Sequence, residues 1–581
     1  MSTETDTKQP LDQFQEMWGQ FASQAEMPSS DPMGAMKSLQ RVAEAWANNP
    51  QDLSNTMRSW TEKLTATNQQ IWQDFLNQRP DQLVDEKGTP DWSKLPYFKW
   101  IREYYQTYSG WMEESIQEAS VEDSVKRDAL FWSKQMLSAR SPDNYFWTNP
   151  LAINKFVETE GESLRAGLQN WLEDTSKGDG LPATVDKTPF KVGETLANTP
   201  GKVVCRNELM ELIQYSPLTD TVYEKPLVIT PPWINKYYIL DLAPKKSFIR
   251  NLVSKGHTVF VVSWKNPTAE MREVGMDDYL MQGPVTALEV AQQITGAKQV
   301  HVVGYCIGGT LLASAMAWFN HPDNLKTNPV EDWTLLTSLV DFEHPGDLGV
   351  FINEDTLKHL EETMAEQGYL DGKQMGTTMR MLRPVELIWY FFINNYLYGK
   401  QPPSIDMLFW NDDSTRMPEA MHKFYLRQYY LHNKLCESDG VTLAGHPIDL
   451  RRIKQPLYCV AAEEDHITPW TQVYQINKLV QGPVRFTLST SGHIAGVVNP
   501  PVDPPKRSYW TGDGDAELAP ETWQAQQKKV TDSWWNNWTV WLGERSDKQV
   551  KPPKLAVPGT NHSPMPPEPA FWNRDFCARL V

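Results

Sequence analysis

Hydrophobic and polar residues follow two different periods along this chain. Up to about residue 180, aromatic and aliphatic residues recur every three or four positions, which predicts amphipathic helices. From residue 187 the pattern changes to short β-branched runs that alternate with helical stretches, which predicts a mainly parallel sheet with helices on both faces. The sequence therefore predicts an all-α N-terminal domain, residues 1–180, and an α/β domain, residues 187–581.

The helical segments of the N-terminal domain carry many Trp and Tyr residues. The predicted helices are 11–25, 37–47, 54–76, 97–117, 128–137 and 153–174. Their apolar stripes fit the core of a helical domain, and they equally fit a surface for a partner helix or an apolar particle. Periodicity does not separate these possibilities, and we expect core packing.

A strand, a sharp glycine turn and a helix follow one another around Cys306. The apolar run 300–303 ends at Gly304, the turn reads GYCIGG, and an Ala-rich helix is predicted over 311–319. This is the context of the nucleophile elbow of α/β-hydrolases, with cysteine in place of serine. Gly304 and Gly308 lack side chains, which lets strand and helix approach closely. The alternative is a glycine-rich turn with an inert buried cysteine.

An acid and a histidine follow two late predicted strands. Asp465 comes after the apolar run 458–462, and His493 comes after the run 484–488. This is the order of acid and base in α/β-hydrolases, and both residues fall at the end of the sheet where Cys306 lies. The sequence therefore predicts a triad of Cys306, His493 and Asp465.

Neighbouring residues offer alternatives to this assignment. Glu463 and Glu464 are also possible acids, and Asp465 is preferred because it lies nearest the loop. His301 in the elbow strand and His466 beside the acid are expected to be structural. Cys205 and Cys459 lie in apolar strands and are expected to be buried thiols.

Two backbone amides are candidates for the oxyanion hole. The N–H of Ile307 opens the helix after the nucleophile and points where an oxyanion would form. The second donor is expected in the loop after the strand 226–230, and the N–H of Ile234 is the candidate.

An insertion interrupts the α/β alternation after the strand that follows the nucleophile. Residues 343–417 are mainly helical, and the stretch 387–398 is almost wholly apolar or aromatic. α/β-Hydrolases place a cap or lid at this position. The predicted fold is an α/β-hydrolase domain with an inserted lid, followed by a closing helix over 520–544 and a Pro-rich tail, residues 551–581.

Composition restricts the classes of function. The formal net charge of −18 argues against binding to nucleic acid or anionic membranes. The five cysteines are widely spaced and form no C-x-x-C pair, which argues against a zinc site and suits a reducing compartment. The start of the sequence carries no secretion signal, and no apolar run reaches membrane-spanning length. We expect a cytosolic protein with no bound metal and no cofactor.

Six segments together resemble one family closely. They read PPWINKYYILDL, GYCIGGT, DFEHPGDLGVFI, FWNDDSTRMP, EEDHITPW and SGHIAGVVNPP. This set is similar to the polyhydroxyalkanoate (polyester) synthases, particularly the single-subunit class I enzymes. The resemblance is strong over about residues 190–510 and extends more loosely into the N-terminal helices. On matching positions the family's nucleophile is Cys306, its acid is Asp465 and its histidine is His493.

The resemblance implies an acyltransferase that polymerises 3-hydroxyacyl-CoA thioesters, for example 3-hydroxybutyryl-CoA, and releases CoA. It implies a covalent acyl-thioester on Cys306, a homodimer, and residence in the cytoplasm on the surface of polyester storage granules. A direct base role for Asp465, besides orienting His493, is also considered in this family. Arg383, just before the apolar stretch of the lid, is the candidate for binding CoA phosphates.

Two other functions fit parts of the pattern. The same triad could serve a cysteine-nucleophile hydrolase or thioesterase that uses water as the final acceptor. The long apolar lid and the N-terminal helical domain argue against this. A catalytically silent granule-coating protein could use the amphipathic helices alone, but the intact order of cysteine, acid and histidine argues against that function.

Overall fold

A nine-stranded mixed sheet forms the centre of the larger of two structural units. The computed structural model describes residues 34–77, 95–176, 181–546 and 548–555. One unit comprises Met1–Asp186 and Met379–Pro403, and the other comprises Lys187–Thr378 and Ser404–Val581. The change of unit at Asp186 falls between the predicted N-terminal domain, residues 1–180, and the predicted α/β domain, which begins at residue 187. The stretch Met379–Pro403, which belongs to the predicted lid, groups with the N-terminal helices.

The strands of the central sheet are labelled β1 to β9 in chain order. They are β1 Gly201–Arg206, β2 Met210–Tyr215, β3 Leu227–Thr230, β4 Val259–Trp264, β5 Val300–Tyr305, β6 Val330–Leu336, β7 Leu457–Ala462, β8 Val484–Ser489 and β9 Tyr509–Asp513. Their spatial order is β1-β2-β4-β3-β5-β6-β7-β8-β9. Strands β3 to β8 run parallel, whereas β1, β2 and β9 are antiparallel to their neighbours. The predicted mainly parallel sheet is confirmed.

Helices cover both faces of this sheet because its strands are apolar on both faces. On β5, Val300 and Val302 join one buried core, while Val303 and Tyr305 join the core on the opposite face. The longer helices of the larger unit lie between or after the strands. They are α7 Phe248–Ser254, α8 Thr286–Thr295, α9 Ile307–Phe319, α10 Glu354–Gln367, α11 Gly372–Leu382, which crosses into the other unit, α12 Pro520–Gln526 and α13 Trp534–Gly543.

The described part of the N-terminal unit is helical, as predicted. Its helices are α1 Ala35–Asn48, α2 Pro50–Asn77, α3 Pro96–Glu118, α4 Asp123–Ala139, α5 Pro150–Glu158 and α6 Glu162–Ser176. A small core that includes Val42, Trp46 and Ile116 joins α1, α3 and α4, so part of the apolar stripes is core. Other apolar residues, among them Trp72 and Leu76 of α2, are exposed. The helix predicted over 11–25 lies outside the described residues.

The apolar stretch of the predicted lid packs on α6 within the N-terminal unit. It forms a helix with π-helical turns over Val385–Trp389 and Ile393–Leu397. Asn170 of α6 donates hydrogen bonds to the carbonyl oxygens of Asn395 and Lys400, both 3.0 Å long. The hydroxyl of Tyr396 donates to Asp174 of α6 at 2.9 Å. Polar contacts therefore fix this apolar segment to a definite helix.

The closing helix predicted over 520–544 is wrong in one respect, because two helices form there instead of one. Val530, between α12 and α13, exchanges backbone hydrogen bonds with Tyr509 of β9 at 2.8 and 2.9 Å. Ser533 then caps α13 by accepting the N–H of Trp535. The apolar pattern did not predict the edge strand β9. Pairing with this strand holds the backbone around Val530 extended, so the helix is interrupted there.

The free cysteines of the described residues are Cys306, Cys436 and Cys459. Cys459 is a buried thiol on β7, as expected. Cys205, expected to be a second buried thiol, is buried on β1 but is disulfide-bonded. Of the predicted tail, residues 551–555 form neither helix nor strand, and residues 556–581 lie outside the described residues.

Candidate active site

Cys306 stands at a strained turn between β5 and α9. Its backbone has φ 52° and ψ −128°, a conformation that a residue with a side chain rarely adopts. Its N–H donates to the carbonyl of Leu336 at 2.9 Å, and its own carbonyl accepts the N–H of Gly309 at 2.8 Å. Hydrogen bonds on both sides of the turn hold this strained conformation, which lifts the side chain away from the sheet.

The glycines of the turn allow the close approach that was predicted for them. A Cβ atom on Gly308 would lie 2.5 Å from the carbonyl oxygens of both Thr230 and Pro231 at the end of β3. A Cβ atom on Gly304 would meet the Cα of Gly309. Because these neighbours are backbone atoms, they cannot move aside as a flexible side chain would, so the first turn of α9 requires glycine.

Parallel register brings three loops to the same end of the sheet. Gly304 of β5 pairs with Thr230 of β3, and Tyr305 pairs with Leu336 of β6. Ala462 pairs with Ser489 at the ends of β7 and β8. Cys306, Asp465 and His493 follow β5, β7 and β8 within a few residues, and all three therefore lie at the carboxyl end of the sheet.

His493 and Asp465 form a buried hydrogen-bonded pair. Nδ1 of His493 lies 2.7 Å from Oδ2 of Asp465, and the two residues are 8% and 7% exposed. The Cys306 side chain lies close enough to the imidazole to raise the pKa of His493. The structure thus brings the three predicted triad residues together, and Asp465, among the three candidate acids, is the one bonded to the histidine.

The electrostatics of this pair favour a charged imidazole. Burial alone would lower the pKa of His493, but the Asp465 carboxylate and the Cys306 side chain outweigh burial and raise this pKa well above its ordinary value. For Asp465, burial acts to raise the pKa, and the interaction with His493 and hydrogen bonds from Thr468 lower it below the ordinary value. Each partner therefore stabilises the charged form of the other.

The loop after β7 also fixes the Asp465 carboxylate. Oδ1 accepts the backbone N–H groups of Ile467 and Thr468, both at 2.9 Å, and Oδ2 accepts the Thr468 hydroxyl at 2.7 Å. Sequence reasoning did not single out Thr468. The D-x-x-T spacing was available as a signal, because an aspartate often bonds the backbone two or three residues ahead.

Helix α13 anchors the loop that carries His493. The indole N–H of Trp534 donates to the carbonyl of Gly496 at 2.8 Å, and that of Trp535 donates to the carbonyl of Val497 at 2.9 Å. The ring of Tyr305 stacks on the imidazole with centroids 5.8 Å apart. The histidine is thus oriented by a carboxylate, a ring and an anchored loop.

Two tyrosines that sequence reasoning missed lie in the electrostatic neighbourhood of Cys306. The ring centroids of Tyr425 and Tyr430 lie 5.3 Å apart. Burial, followed by the effects of neighbours that include Cys306, raises the pKa of both hydroxyls. They are five residues apart in a π-helical segment, Tyr425–Leu431, whose period places residues i and i+5 on one side. Residues five positions apart do not form an apolar stripe with the 3.6-residue spacing of an α-helix. The hydrophobic pattern of the sequence therefore did not indicate that Tyr425 and Tyr430 lie on one side of a helix.

The two candidate oxyanion donors lie on segments with defined backbone positions. Ile307 is the first residue of α9, where an N–H has no acceptor within the helix. The peptide between Trp233 and Ile234 is held by Thr415, whose hydroxyl donates to the carbonyl of Trp233 and whose N–H donates to the carbonyl of Ile234. Both amides remain predictions as oxyanion donors.

The remaining candidates from the sequence are His301 and Arg383. His301 is fully buried on β5 as a packed strand histidine, with Nδ1 2.8 Å from Asp332. Arg383 belongs to the N-terminal unit, where its guanidinium lies 3.7 Å from the Glu386 carboxylate. A role of Arg383 in CoA binding stays a prediction.

The strand order, the elbow and the buried histidine–acid pair define an α/β-hydrolase fold with a cysteine at the nucleophile position. Two family models match the chain: Poly-beta-hydroxybutyrate polymerase (PhaC) N-terminus over residues 85–252, and alpha/beta hydrolase fold over residues 233–500. The chain belongs to the poly(3-hydroxyalkanoate) polymerase family and is an enzyme of the acyltransferase class.

Two relatives of known name support the assignment to this family. The poly(3-hydroxyalkanoate) polymerase subunit PhaC of Rhizobium meliloti is 41% identical over 91% of this chain and 87% of its own length. The corresponding subunit of Cupriavidus necator is 40% identical over 79% of this chain and 78% of its own length. Among solved structures, a meta-cleavage product hydrolase from Pseudomonas fluorescens is 11% identical over 51% of this chain and 92% of its own, with a TM-score of 0.30.

Among the residues that the structure describes, no helix combines the length and the apolar character needed to cross a bilayer.

Proposed function

We propose that this protein polymerises short-chain 3-hydroxyacyl-CoA thioesters, such as 3-hydroxybutyryl-CoA, into polyester through an acyl-thioester on Cys306. The observation that carries the proposal is Cys306 at a strained elbow beside the buried, hydrogen-bonded pair of His493 and Asp465. Membership of the polymerase family supplies the class of reaction.

In the first step the Cys306 sulfur attacks the thioester carbonyl of the substrate. His493 takes the thiol proton, and the tetrahedral oxyanion forms beside the amides of Ile307 and Ile234. Collapse of this intermediate breaks the carbon–sulfur bond to CoA, and the proton on His493 passes to the leaving thiolate. One thioester replaces another, so this exchange is nearly balanced in energy.

In the second step the 3-hydroxyl of another monomer or chain attacks the acyl-Cys306 carbonyl. His493 takes the hydroxyl proton and returns it to the Cys306 sulfur as the ester forms. Asp465 keeps the imidazole in one tautomer and stabilises its charged form, which is the role we assign to it instead of direct base catalysis.

A hydrolase with the same triad would pass the acyl group to water, so the fate of that group tests the proposal. Full-length protein is incubated with 3-hydroxybutyryl-CoA, and released CoA is compared with precipitated polymer and with free 3-hydroxybutyrate. We expect most released CoA to be matched by polymer, and substrate to label Cys306 covalently. CoA release matched by free acid would instead identify a thioesterase.

Granule association belongs to the same proposal. Large apolar side chains of the N-terminal unit are exposed, with Trp72 at 64%, Leu76 at 77% and Trp147 at 75%. Exposed aromatic groups of this kind favour contact with an apolar surface such as a polyester particle. Sedimentation with polyester particles tests this; we expect a Trp72→Ser, Leu76→Ser double variant to bind less than wild type.

Two further features are proposed from the family resemblance. We propose a homodimer, which light scattering across a range of protein concentrations tests. We also propose that Arg383 contacts CoA phosphates. Arg383→Ala is then expected to raise KM for the acyl-CoA substrate with little change in kcat, whereas the same change at Arg140 serves as a control.

A further inference from the structure

Two histidines and an aspartate meet at the far end of the helix that begins after Cys306. His321 and Asp323 lie in the turn that follows α9, and His446 lies in the hairpin Val441–Leu443 and His446–Ile448. One donor atom from each of the three residues lies within 4.8 Å of the others. Two segments more than 100 residues apart in sequence therefore bring three metal-binding side chains to one point.

The distances within this cluster do not fit hydrogen bonds. Nδ1 of His321 lies 3.5 Å from Oδ2 of Asp323, and Nδ1 of His446 lies 3.9 Å from the same oxygen. Hydrogen bonds between nitrogen and oxygen are about 2.7–3.2 Å long. The backbone nitrogen of Asp323 lies 3.4 Å from Nδ1 of His321, which is also longer than this range. The carboxylate therefore lies near both imidazoles at distances longer than a hydrogen bond, and a cation bound by all three groups would stabilise this arrangement.

The spacing suits a small divalent transition metal ion. Donor atoms bound tetrahedrally at about 2.0–2.1 Å are separated from one another by about 3.3 Å. The two measured separations of 3.5 and 3.9 Å need only small side-chain movements to reach this value. Two of the three donors are imidazoles, which favours zinc-type ions over Mg²⁺ or Ca²⁺, because those ions prefer oxygen ligands.

The surroundings hold the two imidazoles in place before any ion binds. The rings of His321 and His446 lie with their centroids 4.4 Å apart, and the indole of Trp318 contacts His446 edge-on. The hairpin turn places Ala444 and Gly445 at positive φ, which fixes the direction in which His446 enters its strand. The imidazoles are partly buried, whereas the Asp323 side chain is exposed, so an ion could enter from solvent.

We propose that His321, Asp323 and His446 form a structural site for Zn²⁺ or a similar divalent transition metal, with water completing the coordination. Helix α9 has 13 residues and spans about 20 Å, so the site lies too far from Cys306 to act on the substrate. It instead connects the hairpin to the carboxyl end of the helix whose amino end supports the nucleophile. This site was not expected from the sequence, because the spacing H-x-D with a remote histidine matches no common zinc motif.

The test uses the full-length Cys306→Ala chain, because the catalytic thiol would otherwise compete for zinc. Chelator-treated protein is titrated with Zn²⁺ by calorimetry, and with Co²⁺ by visible absorption, which reports coordination geometry. We expect one ion per chain, and an affinity at least about tenfold weaker in His321→Ala, His446→Ala and Asp323→Asn. His359→Ala, at an exposed histidine on α10, is the matched control and should bind as tightly as its parent.

Thermal unfolding provides the second measurement. Zn²⁺ should raise the unfolding temperature of the parent and of His359→Ala, but not that of His321→Ala/His446→Ala, and Mg²⁺ should have no effect. If a histidine variant fails to fold, the exposed Asp323→Asn variant still gives the answer. Absence of zinc binding to the parent, or equal affinity in the parent and the double variant, would overturn the proposal.

Discussion

Nδ1 of His493 lies 2.7 Å from Oδ2 of Asp465, and both residues of this pair are buried. Cys306 lies close enough to raise the pKa of the same imidazole. The carboxylate is the largest influence that raises the pKa of His493 against the opposing effect of burial. The position of this pKa determines at which pH the imidazole can accept a proton. In the proposed mechanism, the pair thus sets the pH range of the reaction as well as the orientation of the base.

Replacement of Asp465 by Asn should therefore move the pH dependence of acylation. Without the carboxylate, burial lowers the pKa of His493, so the neutral imidazole persists to lower pH. We expect the acidic limb of the profile to shift to lower pH, while the maximal rate falls by about a hundredfold or more because the tautomer is no longer fixed. Single-turnover CoA release, followed from about pH 5 to about pH 9, measures both the shift of the acidic limb and the fall in maximal rate. An acidic limb that stays in place or moves upward would contradict this role.

Substitutions at Cys306 test its proposed catalytic role and, separately, the cost of its strained backbone in stability. Cys306→Ala should abolish polymerisation, and Cys306→Ser should be very slow because a hydroxyl is the weaker nucleophile. Cys306→Gly should also be inactive, but glycine adopts φ 52° without strain, so we expect it to be about 1 kcal/mol more stable than Cys306→Ala. Urea unfolding compares the two. A glycine variant less stable than the alanine variant would show that the turn is unstrained.

Sequence reasoning predicted the parts of this site that depend on chain order. The position of Cys306 after β5, of Asp465 after β7 and of His493 after β8 followed from the apolar runs and from the register of parallel strands. The glycine at 308 followed from the close approach of helix and strand at an elbow. Each of these depends on residues close to one another in sequence.

The parts that were missed depend on contacts between distant segments. The pKa values of Tyr425 and Tyr430 are affected by Cys306, although these tyrosines belong to a π-helical segment more than 100 residues later, and no local pattern indicates this proximity. The apolar stretch of the predicted lid was predicted to be helical, but its partner α6 could not be identified. Hydrophobic periodicity indicates which face of a helix is buried, and it does not indicate which element packs against that face.

Thr468 should support catalysis through Asp465 instead of contacting the substrate. Its hydroxyl donates to the carboxylate at 2.7 Å, and hydrogen bonds to a charged group contribute about 1.5–3 kcal/mol. Thr468→Val keeps the shape and removes this donor, so we expect kcat to fall by about tenfold or more and the acidic limb of the profile to move. Thr468→Ser retains the hydroxyl and should recover most of the activity. Equal activities of the valine and serine variants would exclude this positioning role.

The first turn of α9 provides the sharpest structural test, because the atoms nearest to a Cβ on Gly308 are backbone atoms. A methyl group there would lie 2.5 Å from the carbonyl oxygens of Thr230 and Pro231, so strand and helix must separate to admit it. We expect Gly308→Ala to lower the free energy of unfolding by about 2 kcal/mol or more. It should also reduce acylation by about a hundredfold, since a displacement of about 1 Å at Cys306 disturbs its alignment with His493.

The matched control for this variant is Gly376→Ala in α11, where a Cβ atom would meet no other atom within 4 Å. Alanine is the better helix former, so this variant should be more stable than wild type by up to about 1 kcal/mol, with unchanged acylation. Chemical denaturation and single-turnover CoA release are measured for both variants. If Gly308→Ala matched Gly376→Ala in both measurements, the elbow would tolerate a side chain, and the close contact between α9 and the end of β3 would not be required for the position of Cys306.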